Sequence, residues 1–338
     1  TGSAALSFAT PVNPSSQQSV TLTGDIDLTG TGILGIGKDS FEKNESAQRF
    51  QGTFEGGSHT ITLDIGTTYG ASVSTGDNAA GQLYAKRSDQ RDAHYSLALI
   101  PFAGAVAIQN LTIAGTVNGR IPHNVKEEEN SGDIRYPAFV SAAIGLAGGK
   151  TDFENMTVNT KVSVTEEADA KKLHVWQSGF LGRCESKVLT FKNCIWGSDS
   201  TLIDERDTDN QRIGGLAAEV LGGCTVTVEN CTLSGSITSK AASTAFVGGL
   251  IAVSRGETQN GSNNSYTSAD TTIKISSLQV KEEKIDTGAA KETSGGLLGY
   301  QWKNTNVVFA ASVDNAASAS GVTISGSTLT ANAQFGGL

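Results

Sequence analysis

Between residues 211 and 238 the chain reads QRIGGLAAEVLGGCTVTVENCTLSGSIT, and its apolar positions come in short alternating bursts. Gly214 and Gly215 precede Leu216. The turn at Gly222–Gly223 leads into Thr225-Val226-Thr227-Val228, with the period of two of a half-buried strand. Asn230 breaks the alternation, Cys231-Thr232-Leu233 resumes it, and Gly235 bends the chain again before Ile237. Short strands separated by Gly and Asn corners over this length match about the perimeter of one coil of a parallel β-helix, a repeat whose units bury a core only by stacking.

Looser copies recur along most of the sequence. The Asn-centred strands are Ile108–Ile113, Phe153–Val158, Phe191–Trp196 and Val228–Leu233, with corners at Asn110, Asn155, Asn193 and Asn230; weaker copies lie at Ile275–Val280 and Ile324–Leu329. Corner-to-corner spacings are 45, 38, 37, 47 and 49 residues. Variation of that kind belongs in loops, because stacked strands cannot change length freely. The polar segments 82–95, 122–135, 165–173, 199–212 and 254–271 are therefore expected to project, with Glu166–Lys172 as a short helix. The Gly-rich half recurs as Gly179-Phe180-Leu181-Gly182, Gly214-Gly215-Leu216, Gly248-Gly249-Leu250 and Gly295-Gly296-Leu297. The pattern predicts an all-β protein: a parallel β-helix (solenoid) with an N-terminal cap and its leading strands over 1–50, and one continuous repeat domain over 51–338 bearing polar loop insertions. The closing Phe335-Gly336-Gly337-Leu338 reads as the start of another repeat, so the chain is expected to be a fragment of a longer protein.

Composition narrows the picture. With 40 Gly, 5 Pro, one Met and 6% aromatic residues, the core must be built from small and β-branched side chains. A formal net charge of -9 argues against nucleic acid or an anionic membrane as the main partner. No apolar run reaches the roughly 18 residues of a membrane span. The opening TGSAALSF carries no basic n-region, so a signal peptide is expected to be absent or already removed.

Residues 19–30, SVTLTGDIDLTG, are followed by the phrase Phe50-Gln51-Gly52-Thr53-Phe54-Glu55-Gly56-Gly57-Ser58-His59-Thr60-Ile61 and then by the Gly-Gly-Leu units. This succession resembles bacterial surface proteins that carry GLUG-type repeats, from about residue 18 to the end. Glu55 and Ser58 depart from the Asp and Gly usual in that phrase. The resemblance implies a right-handed parallel β-helix on an exported bacterial protein, often an adhesin or a stalk. It transfers no catalytic residue.

Candidate chemistry is sparse. Cys194 and Cys231 share one slot in successive units, and Cys184 and Cys224 lie in neighbouring units, so stacking about 4.8 Å apart permits two structural disulfides, 194–231 with 184–224. Free buried thiols acting as small hydrophobes are the alternative. Asn110, Asn155, Asn193 and Asn230 are expected to form a structural corner ladder, since Asn tolerates the left-handed region and can bond to the next coil. Three of them also spell Asn-x-Thr, a glycosylation acceptor in a eukaryotic secreted protein. The acidic stretch Asp204–Asp209 loosely suggests a cation loop but lacks the Gly and terminal Glu of an EF-hand, and reads as a solvated loop. Trp196 is expected in the core, while Tyr300 and Trp302 are the candidates for stacking on a ligand. No nucleophile–base pair can be assembled around His59, His94, His123 and His174. The expectation is a non-catalytic domain of a secreted, cell-surface bacterial adhesin, with no cofactor and no metal. It would bind a host surface or secreted protein, or a glycan, through loops or a side face. A pure stalk and a polysaccharide-degrading enzyme are the alternatives. A groove lined by three or more charged residues from successive coils would favour the enzyme, and polar loops or a flat Thr/Ser/aromatic surface would favour adhesion.

Overall fold

The computed structural model describes residues 18–31, 35, 50–66, 85–89, 92–121, 138–166, 174–207, 211–242, 244–260, 265–288, 292–301, 303–309, 323–325, 327–330 and 335–336. Among them the protein is all-β and solenoid-like, with no helix. Nearly all strand pairs are parallel, arranged in one 23-stranded and one 8-stranded sheet. The exceptions are two antiparallel hairpins, Ala85–Asp89 with Asp92–Leu97, which runs two residues past a segment expected to project, and Glu257–Asn260 with Ser265–Ser268, within another. The proposed helix at Glu166–Lys172 lies outside the described residues apart from Glu166, which ends a strand. Most of the N-terminal segment, the acidic Glu127–Glu129 and the final Gly337-Leu338 also lie outside them.

Each strand pairs with its counterpart one repeat earlier and one repeat later, so the strands stack in tiers. A single inward slot traces the whole stack: Val20, Phe54, Ile108, Phe153, Phe191, Val228, Ile275 and Phe309 are partners in unbroken parallel register. From Phe54 to Ile275 this column is fully buried, whereas Phe309 on the last rung is 53% exposed. The alternation that places every second side chain inward thus builds one continuous core, each large apolar residue contributing roughly 1.5–3 kcal/mol by leaving water. Phe153 stacks on Phe191 at 5.1 Å between centroids, and Phe180 meets both edge-on.

Two local devices make the stack possible. At the Asn corners φ is 54°, 52°, 52° and 51° for Asn110, Asn155, Asn193 and Asn230, in the left-handed region where the chain turns without a glycine. Trp196 fills the core beside Gly215 and Gly235, where an added Cβ would come within 2.8 and 2.5 Å of its indole. One expected loop proves to be structure. Within 199–212, Thr201–Asp204 is a strand paired with Ser236–Ser239, because Leu202 points into the core and Asp204 finds a buried partner.

Candidate functional site

Two neighbouring rows of side chains run along the stack outside the main core, and both change character midway. In the first, Phe102, Leu146, Arg183, Glu219, Val253 and Tyr300 are successive register partners. In the second the partners are Phe139, Trp176, Arg212 and Phe246. Slots that elsewhere hold Leu, Val or an aromatic ring are therefore charged at Arg183, Arg212 and Glu219. Arg255 joins them from the next tier.

Glu219 is the hub. It is 1% exposed; its Oε1 accepts from Arg212 Nη1 at 2.5 Å and from Arg255 Nε at 2.6 Å, and its Oε2 lies 3.5 Å from Arg183 Nε. Glu185 stands 3.7 Å from the same Arg183 Nε. Burial alone would push the Glu219 carboxyl up, but Arg212, Arg255 and Arg183 together outweigh it and hold it down at about 2. Burial conversely brings Arg212 down to about 10, with Glu219 opposing the shift and the other two guanidiniums adding to it. The Arg212 guanidinium lies 4.6 Å from the centre of the Trp176 ring, a cation–π contact. Beside it Phe102, Phe139, Leu146, Trp176 and Ala218 form a second apolar cluster, separate from the main core. Phe246 stands one tier beyond Arg212 and Tyr300 two tiers beyond Glu219, and their half-buried rings meet at 5.2 Å. The arrangement presents fixed positive charge beside aromatic surface. Its one buried carboxylate is ionised and fully engaged.

Apart from Tyr300, the residues singled out by sequence fall elsewhere. Asn110, Asn155, Asn193 and Asn230 form a hydrogen-bonded ladder, each side-chain amide donating to the Oδ1 of the Asn one tier before at 2.8–2.9 Å. Asn110 heads it by donating to the Glu55 carboxylate at 3.0 Å. That carboxyl is lowered, chiefly by the backbone N–H of Gly57. These amides are spent on structure, and a glycan on any of them would break the ladder.

All four cysteines are buried and unbridged. The structure brings them together in the two pairs that the spacing suggested: the Cys184 and Cys224 sulfurs are 4.0 Å apart, twice the length of a disulfide bond, and Cys194 neighbours Cys231. The Cys184 thiol is pushed well up by its contact with Cys224 and by burial, and that of Cys194 by burial first and then by Cys231.

Two residues of the acidic stretch are held in ion pairs. Asp204 is buried against Arg206, which donates from Nε and Nη2 at 2.8 and 2.6 Å, and Glu205 pairs with Lys240. Among the described residues no group of three or more acidic, His or Cys side chains is placed to hold a metal. Tyr300 joins the charged face, whereas Trp302 lies outside the described residues. His59 contacts Asp25 at 3.3 Å, in the first tiers.

Sequence reading missed the Arg–Glu cluster. The strands Ile144–Ala147, Leu181–Cys184, Ala217–Val220, Ile251–Ser254 and Leu298–Gln301 read IGLA, LGRC, AAEV, IAVS and LGYQ. A charge at the third letter of the second and third was the available signal. No family model matches the chain, and no curated protein or solved structure matches it either.

Proposed function

We propose that this chain is a non-catalytic ligand-binding domain of an exported bacterial surface protein, of the adhesin-like GLUG type that its opening phrases resemble. In this reading the tiers are coils of a right-handed parallel β-helix, the hand that parallel crossovers adopt in about 98% of cases, and the N-terminal segment caps the stack. A parallel barrel would close its first strand on its last. Among the described residues Gln18–Thr21 pairs with Phe50–Ile65 alone, at one end of the stack, and Thr305–Phe309 lies at the other, which supports the solenoid.

The observation that carries the binding reading is the charged row across successive tiers, at slots otherwise apolar. Charges are not needed there for stacking, since neighbouring tiers do without them, and three cations around one carboxylate suit recognition of a partner. A host protein or a glycan bound on this side face fits the expected surface location. The same row gives the enzyme alternative its best support. Against it stands the chemistry: Glu219 is held at about 2, and its oxygens face guanidiniums, so it is poorly placed to trade protons near neutrality. Arg212, at about 10, stays protonated near neutrality and acts as a fixed charge.

A screen of the chain against glycan arrays and host surface and secreted proteins, with polysaccharide turnover assayed in parallel, tests this. Saturable binding without turnover is expected, weakened by charge removal at Arg183. Depolymerisation of any polysaccharide would overturn the reading in favour of the enzyme, and silence in both assays would leave a stalk.

A further inference from the structure

The two cysteine pairs, alike in burial, differ in geometry. Cys194 and Cys231 follow the corners at Asn193 and Asn230 and stand side by side in consecutive tiers, with Thr232 N donating to the Cys194 carbonyl. Side chains in parallel register leave the stack together, so their Cβ atoms stay near the tier spacing of about 4.8 Å, beyond the roughly 3.5–4.5 Å that a disulfide spans. Their thiols are also occupied. Cys194 Sγ donates towards the Phe153 and Lys192 carbonyls at 3.4 Å, and Cys231 Sγ towards those of Phe191 and Glu229 at 3.5 and 3.4 Å. Cys184 and Cys224 are offset instead. The register partner of Cys184 is Val220, and the chain turns through Gly222 and Gly223 before Cys224 leads into Thr225–Glu229. An offset pair is not held at the tier spacing. The two sulfurs meet at 4.0 Å, while Cys184 Sγ reaches the Ser186 carbonyl only at 3.8 Å.

We infer that Cys184 and Cys224 close as a disulfide while the chain folds, and that Cys194 and Cys231 remain thiols. The oxidant is a disulfide, of a protein or of a small thiol. One cysteine thiolate attacks it and releases the first thiolate of the oxidant. The other cysteine then attacks the mixed disulfide, closes the Cys184–Cys224 bond and releases the second. Two electrons pass to the oxidant, and two protons leave the cysteines. The step belongs to folding because the finished stack forbids it. Cys184 and Cys224 are 0% and 1% exposed, and the contact with Cys224 together with burial raises the Cys184 thiol, which leaves little thiolate to react. Stacked repeats fold by propagation from tier to tier, so both sulfurs are open to the oxidant until neighbouring tiers cover them. Cys184 ends the strand Leu181–Cys184, which carries Arg183, and Cys224 follows the strand Ala217–Val220, which carries Glu219. The bond therefore clamps together the two tiers across which Arg183 faces Glu219.

The test is a thiol count on the whole chain secreted into an oxidising compartment. The folded protein, its β-sheet content checked by circular dichroism, is denatured in a thiol-alkylating reagent without reductant and weighed by mass spectrometry. Two alkylated and two bridged cysteines are expected. Trypsin cuts after Arg183 and Lys187 and so frees Cys184 on a short peptide, which should be joined to the peptide 213–240. Cys224 and Cys231 both lie on that peptide. Fragmentation of the joined pair should place the bond on Cys224, an assignment that holds even where a variant fails to fold. Cys231→Ala should keep the bridge and Cys224→Ala abolish it. The folded chain should hold the bond against dithiothreitol and lose it only on denaturation. Four alkylated cysteines, two bridges, a bridge to Cys194 or Cys231, or reduction of the folded chain as fast as of the denatured one would each overturn the inference.

Discussion

Two buried glutamates set opposite limits on stability with pH. Glu283 sits in the stack with Oε1 unpartnered, close enough to Gly249 that a Cβ there would lie 2.1 Å from it. Burial raises its carboxyl from 4.5 to about 8. A raised folded value means that folding takes up a proton. This residue therefore costs no stability below about 4.5, costs progressively more as pH rises towards 8, and no more beyond that. The full penalty is about 5 kcal/mol at about 1.4 kcal/mol per unit. Glu283→Gln is expected to stabilise the protein at pH 8 by a few kcal/mol and scarcely at all at pH 4.5; denaturant midpoints across that range check it, and a pH-independent effect would refute it. Glu219 works the other way. Held at about 2, it contributes stability above 4.5 that is lost as pH falls towards 2. Asn193 separates backbone from side-chain effects. Its φ of 52° and its place in the middle of the ladder predict that Asn193→Ala costs about 2–3 kcal/mol, for the left-handed strain and the lost hydrogen bonds. Asn193→Gly, free of the strain, should cost about 1 kcal/mol. Equal losses in chemical denaturation would mean that the corner geometry does not matter.

At the scale of the element, glycine placement decides what a strand can stack against. Trp196 is wholly buried, and Gly235 in the next tier leaves space for its indole. Gly235→Ala brings a methyl within 2.5 Å of a ring that cannot swing away, so a loss of about 1–3 kcal/mol is expected. Pairing it with Trp196→Phe should recover part of the loss in a double-mutant cycle, and strict additivity would show that the two do not touch. The same elements show what the sequence could convey. Alternation and recurring corners made the strands, the Asn column and the inward place of Trp196 legible, because each follows from local period and turn chemistry. Thr201–Asp204 was hidden because its inward aspartate is neutralised by Arg206, two residues along within a run of charges that looks solvated. Arg183 and Glu219 were hidden for a related reason. Each is a single charge within a four-residue strand, and what relates them is register across tiers, set by loops of unequal length.

At the scale of the whole molecule, stability should be transmitted along one axis. A stacked repeat protein is held by neighbour-to-neighbour interfaces, so damage in one tier is felt most by the tiers that touch it. Phe191 is the place to inflict it: its ring stacks on Phe153, meets Phe180 edge-on, and shares an inward column with Val228 in the next tier. Phe191→Ala should cost about 3–5 kcal/mol locally. Hydrogen exchange should then show protection falling in Val188–Lys192, in Thr151–Glu154 before it and in Thr225–Glu229 after it. Amides of Phe50–Ile65, which lie tiers away and pair with none of these strands, should keep theirs. A closed parallel barrel, in which every strand braces one shared core, would lose protection everywhere at once. Uniform loss after Phe191→Ala would therefore rule out the solenoid. A graded loss, falling off with distance in tiers, would establish that the charged face is carried on a stack whose far end is mechanically independent of its near end.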